Sequence, residues 1–418
     1  MITYLFNLLR GNVIYLLIGL LSAFCVRVLG IITIGEILIV LFVICTCLFK
    51  RFNIIGYHRL VNKWLLALSS AILFSGIYTN STNYYIKGVI TIFLLYFSFQ
   101  FFATILARGN RFAIIAFLLG YSISNILVSF VFISFSDLAV GERAFTLDEF
   151  QEDMYAYIYF PTAYLINAML FEKHRGILII VNFALALAFL FGGSRTSFLV
   201  LLLTDVFLIF NYFKAGKIAF VRSKTLVKFS FVIVICLTGA LKGYSYLASH
   251  GYLGEGAQLK YEIQSSLKGG IASSRSYFLR GLITIAHHPF GAIGFQQIPD
   301  DNFEIRQEYA KLSGTKMRFE DPNCAAHSSM LDWWIYFGIL TVPFWLYILK
   351  KCLFACRIAL VSNNINTAVA LLCCFQCCWN VFFSPFSNRI MWGFQILVVL
   401  FFIHTHISKQ NENRSSQV

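Results

Sequence analysis

Apolar runs of roughly 20 residues follow one another along most of this chain, and each run is close to the length that crosses a lipid bilayer as a helix. Hydrophobic residues make up 59% of the 418 residues, charged residues make up 12%, and the mean hydropathy is +0.74. A water-soluble core could not absorb so much apolar surface. The sequence therefore predicts an all-α polytopic membrane protein.

Reading the runs in order predicts about twelve transmembrane helices. They cover residues 11–26, 30–49, 64–79, 84–107, 112–135, 154–171, 176–193, 196–213, 229–247, 328–349, 365–384 and 390–407. Nine of them fall within residues 1–247, a large outward loop covers 248–327, the last three fall within 328–407, and 408–418 form a tail. Only three residues separate the first two runs, so this pair could be two helices, a reentrant hairpin or one long helix.

Lysine and arginine are concentrated in alternate short loops, and basic loops resist translocation across the membrane. These loops hold Arg10, Lys50, Arg51, Arg59, Lys63, Arg108, Arg111, Lys173, Arg175, Lys214, Lys217, Arg222, Lys224, Lys228, Lys350, Lys351, Arg357, Lys409 and Arg414. We predict that they and both termini are cytoplasmic. The net charge of +14 does not indicate nucleic-acid binding, because these cations flank apolar runs and form no single stripe.

Signals for a cofactor are weak in this sequence. Four of the eleven cysteines lie within one apolar run, where sulfur behaves as a small hydrophobic group; they are Cys373, Cys374, Cys377 and Cys378. No second cluster completes a zinc site. We predict neither a metal nor another cofactor. No small-residue cleavage site follows the first apolar run, which we interpret as a retained helix.

The loop over residues 248–327 is far longer than an ordinary connection, and loops of that length are usually functional or disordered. This loop carries helix signals. Ser273 or Ser274 can cap a helix that runs to about His288, and a second helix is predicted over residues 302–312. Amphipathic helices of this kind could lie on the bilayer surface and cover a cavity.

Several short motifs in the second half of the chain share one predicted side of the membrane. They are Gly193-Ser194-Arg195-Thr196, Ser274-Arg275, His288-Pro289, Gly291 to Gly294, and His327-Ser328 followed by Gly338 and Thr341. In their order and spacing the chain resembles the O-antigen polymerase and O-antigen ligase superfamily. The resemblance implies a GT-C-like fold and an inner-membrane glycosyltransferase whose donor is an undecaprenyl-diphosphate-linked oligosaccharide.

Four residues are the main candidates for that chemistry. A guanidinium stays charged and matches phosphate oxygens with forked donors, so we assign Arg195 and Arg275 to the departing diphosphate. The resemblance adds Arg143. His327 could accept the proton of an attacking sugar hydroxyl, or could be protonated and hold phosphate. A single displacement of this kind inverts the anomeric carbon.

Each of these residues also has a simpler interpretation. Arg195 could be an interfacial anchor whose charged end reaches water. Arg275 could decorate an amphipathic helix, and Arg143 could balance the acidic loop in which it lies. His327 could be a helix cap or an interfacial packing residue.

Three further outward cations are possible supporting residues, although solvated loop charge is the preferred interpretation of each: Arg280, Arg318 and Arg389. Arg275 and Arg280 lie five residues apart and therefore on different faces of a helix, so both cannot easily reach one phosphate. Asp332 lies near one turn from His327 and could orient the site.

Three classes of function agree with this reading in different degrees. A glycosyltransferase accounts for the outward cations and the long loop. A polysaccharide flippase or transporter accounts for the helix number, and a scaffold accounts for neither. Within the first class, a polymerase would extend lipid-linked repeat units and a ligase would transfer glycan to lipid A core. We favour the polymerase, for O-antigen or a related surface polysaccharide, with a chain-length regulator and a flippase as possible partners.

Overall fold

The computed structural model describes most of the chain. The described residues are 11–27, 31–48, 56–76, 82–134, 162–171, 174–191, 195–214, 235, 238–239, 242–254, 258, 261–262, 276–294, 298–313, 326–362, 364, 366–384 and 389–415. Among the predicted site residues, Arg143, Arg275 and Arg318 lie outside these ranges, as does most of the predicted span 229–247.

The described part of the chain is dominated by α-helices. Their bounds are α1 Val13–Leu20, α2 Ile34–Leu48, α3 Gly56–Gly76, α4 Thr82–Ala107, α5 Arg111–Ser134, α6 Arg175–Phe191, α7 Arg195–Lys214, α8 Ser276–His287, α9 Asn302–Ser313, α10 Ser329–Phe337, α11 Val342–Ala359, α12 Thr367–Phe383 and α13 Arg389–Ser415. Residues 162–170 and 242–249 are also helical. The two helices predicted within the long loop are confirmed as α8 and α9.

Four described helical segments are long and apolar enough to cross a membrane: Gly88–Ala107, Thr196–Phe213, Ile339–Ala359 and Arg389–Ser408. Shorter apolar helices accompany them, including α2, α12 and parts of α3, α5 and α6. The protein is thus an all-α membrane protein. The finer prediction of twelve spans is not confirmed by the described residues.

The first two predicted spans differ from expectation. Helix α1 has eight residues and passes through a short 3₁₀ turn into strand β1, Cys25–Arg27, which pairs antiparallel with β2, Ile31–Thr33. Helix α2 follows directly. A capping box fixes the start of α2, because Thr33 N–H donates to Glu36 Oε2 and Glu36 N–H donates to Thr33 Oγ1. A short β-hairpin therefore lies between α1 and α2, where the sequence had left open two helices, a reentrant hairpin or one long helix.

Aromatic side chains fill the centre of the bundle. Phe102 of α4 packs edge-to-face against Phe117 of α5, with ring centroids 5.0 Å apart, and lies 5.0 Å from Phe394 of α13. Phe394 in turn meets Tyr164 at 5.1 Å. Interlocked rings of this kind provide dispersion contacts where the hydrophobic effect cannot drive helix association within lipid.

The predicted span 328–349 is divided in two. Helix α10 ends at Phe337 and is followed by Gly338, whose φ is +94°, and a 3₁₀ turn over Ile339–Thr341 leads into α11. Glycine adopts this positive φ without the steric cost that other residues meet. Proline at the first turn of α11 then favours the start of a new helix. The helix continues to Ala359, ten residues beyond the predicted end.

Polar contacts divide the helix ends into two groups. One group joins Asn12 to Asn110 at 3.0 Å and places Asn211 Nδ2 2.7 Å from the carbonyl oxygen of Ala359. The other group joins the start of α2 to the start of α13 and the start of α10 to the end of α12. This grouping agrees with the loop charges. The assignment of the two ends to cytoplasm and periplasm stays a prediction.

Candidate functional site

Helix α8 packs across the start of α10 and creates the surroundings of His327. Gly281 faces Ala326 so closely that a Cβ at position 281 would overlap the Ala326 side chain. The chain after α8 then runs beside α10, where Ile293 N–H donates to the Ile335 carbonyl at 2.9 Å. Trp334 Nε1 donates to the Pro289 carbonyl at 2.9 Å. These contacts hold the end of the long loop on the helical bundle.

His327 lies in the short segment between the long loop and α10. Its φ is +49°, a left-handed conformation that histidine tolerates better than most residues with a side chain. The imidazole is exposed and stacks on the ring of Tyr277, with centroids 4.2 Å apart and an interplanar angle of 14°. An aromatic platform on α8 therefore orients the histidine that sequence reasoning selected.

Asp332 and Ser328 fix the backbone on either side of His327. The buried carboxylate of Asp332 accepts a hydrogen bond from Ala326 N–H at 2.5 Å. Ser328 Oγ accepts from Leu331 N–H as a helix cap and donates to the Val381 carbonyl of α12 at 2.8 Å. Asp332 was predicted to orient the site, and it contacts the backbone adjacent to the histidine.

Arg280 occupies a position that the sequence did not predict. Arg280 is only 6% exposed, although the preferred interpretation of the sequence was that its charge is solvated in a loop. One long hydrogen bond of 3.3 Å joins its Nη2 to Asn302 Oδ1, and its Nε has no hydrogen-bond partner among the described residues. The solvated interpretation is therefore wrong for Arg280. A buried guanidinium without a carboxylate is costly unless another anion compensates its charge.

Arg280 and His327 are linked through one helix. Arg280 lies three residues after Tyr277 on α8, and residues three apart are neighbours on a helix surface. Tyr277 carries the His327 ring. The fold thus places a buried cation one helical turn from the tyrosine that stacks on an exposed imidazole.

Arg389 is paired with a carboxylate. Its Nε lies 2.6 Å from Glu36 Oε1 and its Nη2 lies 2.9 Å from Glu36 Oε2, a forked arrangement in which the glutamate residue is 2% exposed. The solvated interpretation is wrong for this residue too. Because Glu36 neutralises its charge, Arg389 is a poor candidate for the diphosphate and a good candidate for joining α2 to α13.

Arg195 is the first residue of α7. Phe207 of α7 packs against Phe375 of α12 at 5.0 Å, and Asn211 near the other end of α7 contacts the segment that precedes α12. The two helices therefore run antiparallel, and α7 begins level with the end of α12, where Ser384 accepts a hydrogen bond from Ser329. The Arg195 backbone consequently lies at the His327 end of the bundle.

A histidine–carboxylate junction joins α8 to α9. His287 Nδ1 lies 2.8 Å from Asp301 Oδ2 and His287 Nε2 lies 3.0 Å from Glu308 Oε2, while His288 Nε2 lies 2.7 Å from Asp301 Oδ1. Sequence reasoning missed this junction. The His-His pair at the end of one predicted helix and the Asp-Asp pair before the next were its only signal.

The junction changes the protonation of its members. Hydrogen bonds to Glu308 and Asp301 raise the pKa of His287 above its ordinary value. Burial favours a higher pKa for Asp301, but hydrogen bonds from His288 and His287 outweigh it and lower that pKa. The described residues contain no group of three or more His, Cys, Asp or Glu side chains arranged to hold a metal ion.

No family model matches this chain, and neither does a curated protein or a solved structure. The resemblance to O-antigen polymerases and ligases therefore stays a prediction that rests on the motifs themselves.

Proposed function

We propose that this protein is a glycosyltransferase of the bacterial inner membrane that joins undecaprenyl-diphosphate-linked oligosaccharide repeat units at the periplasmic face, as an O-antigen or related polysaccharide polymerase. The observation that carries the proposal is Arg280, a buried guanidinium that no described carboxylate neutralises, one helical turn from the residue that holds His327. A lipid-linked diphosphate supplies the negative charge that the described carboxylates do not provide there.

The donor diphosphate is the natural ligand of a cation in this position. Transfer of the sugar leaves the diphosphate with the electron pair of the broken carbon–oxygen bond, so negative charge grows on its oxygens. A preorganised guanidinium in a site with little water stabilises that charge and can contribute several kcal/mol to lowering the barrier. The further cations that we assign to this group are Arg195 and Arg275, and the resemblance adds Arg143.

His327 is suited to the proton of the acceptor. An exposed neutral imidazole can take the proton from an attacking sugar hydroxyl as the new carbon–oxygen bond forms. The Tyr277 stack, the Ser328 cap and the Asp332 contact with Ala326 limit the positions of the ring. One displacement with one base inverts the configuration at the anomeric carbon. Neither a metal nor another cofactor enters this step.

A deletion strain complemented with single variants tests the proposal. His327→Ala and Arg280→Gln should abolish long glycan while the protein stays at its normal level in the membrane. His250→Ala is the matched control, because His250 is also exposed and its ring lies 4.3 Å from a tyrosine ring, that of Tyr246, outside the site. It should complement fully.

The products formed in these strains identify the acceptor. Loss of long glycan with one repeat still attached to lipid A core identifies a polymerase. Loss of all attached glycan identifies a ligase. Full complementation by both His327→Ala and Arg280→Gln would exclude the proposed chemistry, and accumulation of undecaprenyl-linked repeats on the cytoplasmic side would identify a flippase.

A further inference from the structure

The outer face of α11 combines apolar and basic side chains along one stripe. Leu346, Lys350, Leu353, Phe354 and Arg357 follow the spacing that places residues on one side of a helix. Leu346, Leu353 and Phe354 are 54%, 68% and 41% exposed. The segment Ile339–Ala359 is also the least buried of the four long apolar segments, at 33%. Much of this face is therefore uncovered by the described protein.

A pocket of about 470 Å³ opens on this face. It is lined by Lys350, Lys351, Leu353, Phe354 and Arg357. Three cations thus surround two apolar side chains, and no carboxylate is among the described residues that line the pocket. Lys351 is directed towards the Tyr347 ring, with its Nζ 5.5 Å from the ring centroid, which holds one of the positive charges beside the pocket.

The pocket lies at the end of the bundle opposite His327. Helix α11 begins beside Gly338 near the His327 segment, and its last residue, Ala359, accepts a hydrogen bond from Asn211 at the far end of α7. Lys350 and Arg357 are seven residues apart, which is about 10 Å along a helix. A stripe of this length can reach from the acyl-chain region of a bilayer to its headgroups.

We propose that this pocket binds an anionic phospholipid of the leaflet opposite the proposed reaction site. Its phosphate contacts Lys350, Lys351 and Arg357, and the upper part of an acyl chain packs on Leu353 and Phe354. Negative headgroups are attracted to clustered cations at the end of a transmembrane helix. The exposed leucine and phenylalanine distinguish a lipid from free phosphate, which has no apolar part to bury.

Lipid binding to the purified full-length protein tests this site. Native mass spectra would be recorded after mixing with phosphatidylglycerol, with phosphatidylcholine of the same acyl chains, or with inorganic phosphate. The wild-type protein should retain phosphatidylglycerol in clear excess over the other two. The double variant Lys350→Gln with Arg357→Gln should bind phosphatidylglycerol at least about tenfold more weakly, because two attractive charges are lost.

A matched control separates this site from general charge attraction. Arg59→Gln with Lys63→Gln removes two exposed cations at the same predicted membrane face and should leave phosphatidylglycerol retention unchanged. Phe354→Ala, which keeps every charge, should weaken lipid binding without creating a preference for phosphate. Equal losses in the two double variants, equal retention of both lipids by the wild type, or displacement of the lipid by inorganic phosphate would each overturn the proposal.

Discussion

The junction of α2 with α13 and the junction of α8 with α9 each enclose an arginine, but different groups face the two guanidiniums. Arg389 meets both oxygens of Glu36 at 2.6 and 2.9 Å. Arg280 is more deeply buried and has a single 3.3 Å hydrogen bond to the neutral side chain of Asn302. The first guanidinium is neutralised within the fold, and the second is not neutralised by any described carboxylate.

This difference separates a structural cation from a candidate ligand-binding cation. An ion pair with satisfied geometry holds two helices together, and its loss leaves a buried charge behind. A buried cation that lacks a counter-charge is kept at a cost in folding free energy, which is expected where an anionic ligand supplies the compensation. The two arginines should therefore respond in opposite ways to the same substitution.

Arg389→Gln should have the largest effect on stability. The variant leaves Glu36 charged and 2% exposed, and breaking one side of a buried pair costs roughly 3 kcal/mol or more. Thermal unfolding of the purified protein in detergent would measure the loss. Adding Glu36→Gln should recover most of it, and a double variant as unstable as Arg389→Gln alone would contradict the role of the pair.

Arg280→Gln should act on transfer and not on stability. Removal of one stabilising cation lowers a transfer rate by about 100-fold or more, measured with a lipid-linked donor and purified protein. The melting temperature should stay level or rise, because a buried charge has been removed. Arg280→Lys should recover only part of the rate, since an ammonium lacks the forked donors. A melting temperature lowered as in Arg389→Gln would place Arg280 with the structural arginine.

Gly281→Ala tests how closely α8 must approach the His327 segment. The added Cβ would overlap Ala326, and overpacking of this kind costs about 2 kcal/mol. Gly176→Ala in α6 is the matched control, because nothing lies within 4 Å of a Cβ at that position. Thermal unfolding should separate the two variants. Similar melting temperatures would show that α8 can move away from Ala326 without cost.

The α8–α9 junction should depend weakly on pH. The stabilisation from His287, whose pKa is raised, is complete below the ordinary value of 6.5 and is lost as the pH rises through the raised value. The stabilisation from Asp301, whose pKa is lowered, is present above 3.8 and is lost as the pH falls through the lowered value. The junction is therefore most stable between about pH 4 and about pH 6.5.

Hydrogen exchange of the α9 amides, corrected for intrinsic rates, would measure this dependence. Protection should fall on going from about pH 6 to about pH 8.5. His287→Gln should remove most of that change, whereas His250→Gln, outside the junction, should preserve it. An unchanged pH profile in His287→Gln would assign the effect to other groups.

Helix positions were the most predictable part of the fold. The spans predicted at 84–107 and 112–135 correspond to α4, Thr82–Ala107, and α5, Arg111–Ser134, because long apolar runs that meet a basic loop at one end have a single simple interpretation. The hairpin between α1 and α2 was not predicted. Apolar residues satisfy the pattern of a helix or a short strand equally well, so hydropathy alone cannot separate the two.

The candidate site was predictable in part. His327 was selected from the His-Ser pair that opens a helix, and Ser328 is the N-cap of α10 as such a pair suggests. Tyr277 and the burial of Arg280 were not foreseen. A loop of more than 70 residues allows many arrangements, and tertiary contacts such as the close approach of Gly281 to Ala326 and the Tyr277–His327 stack bring α8 against this segment.

Composition and periodicity by themselves determined that this chain is a helical membrane protein, since that property depends on the local transfer of side chains between water and lipid. Which cation is neutralised was decided only by tertiary structure. Glu36 and Arg389 are separated by 353 residues, and Arg280 lies 22 residues from Asn302. Charge compensation falls steeply with distance between side chains, and that distance is a property of packing.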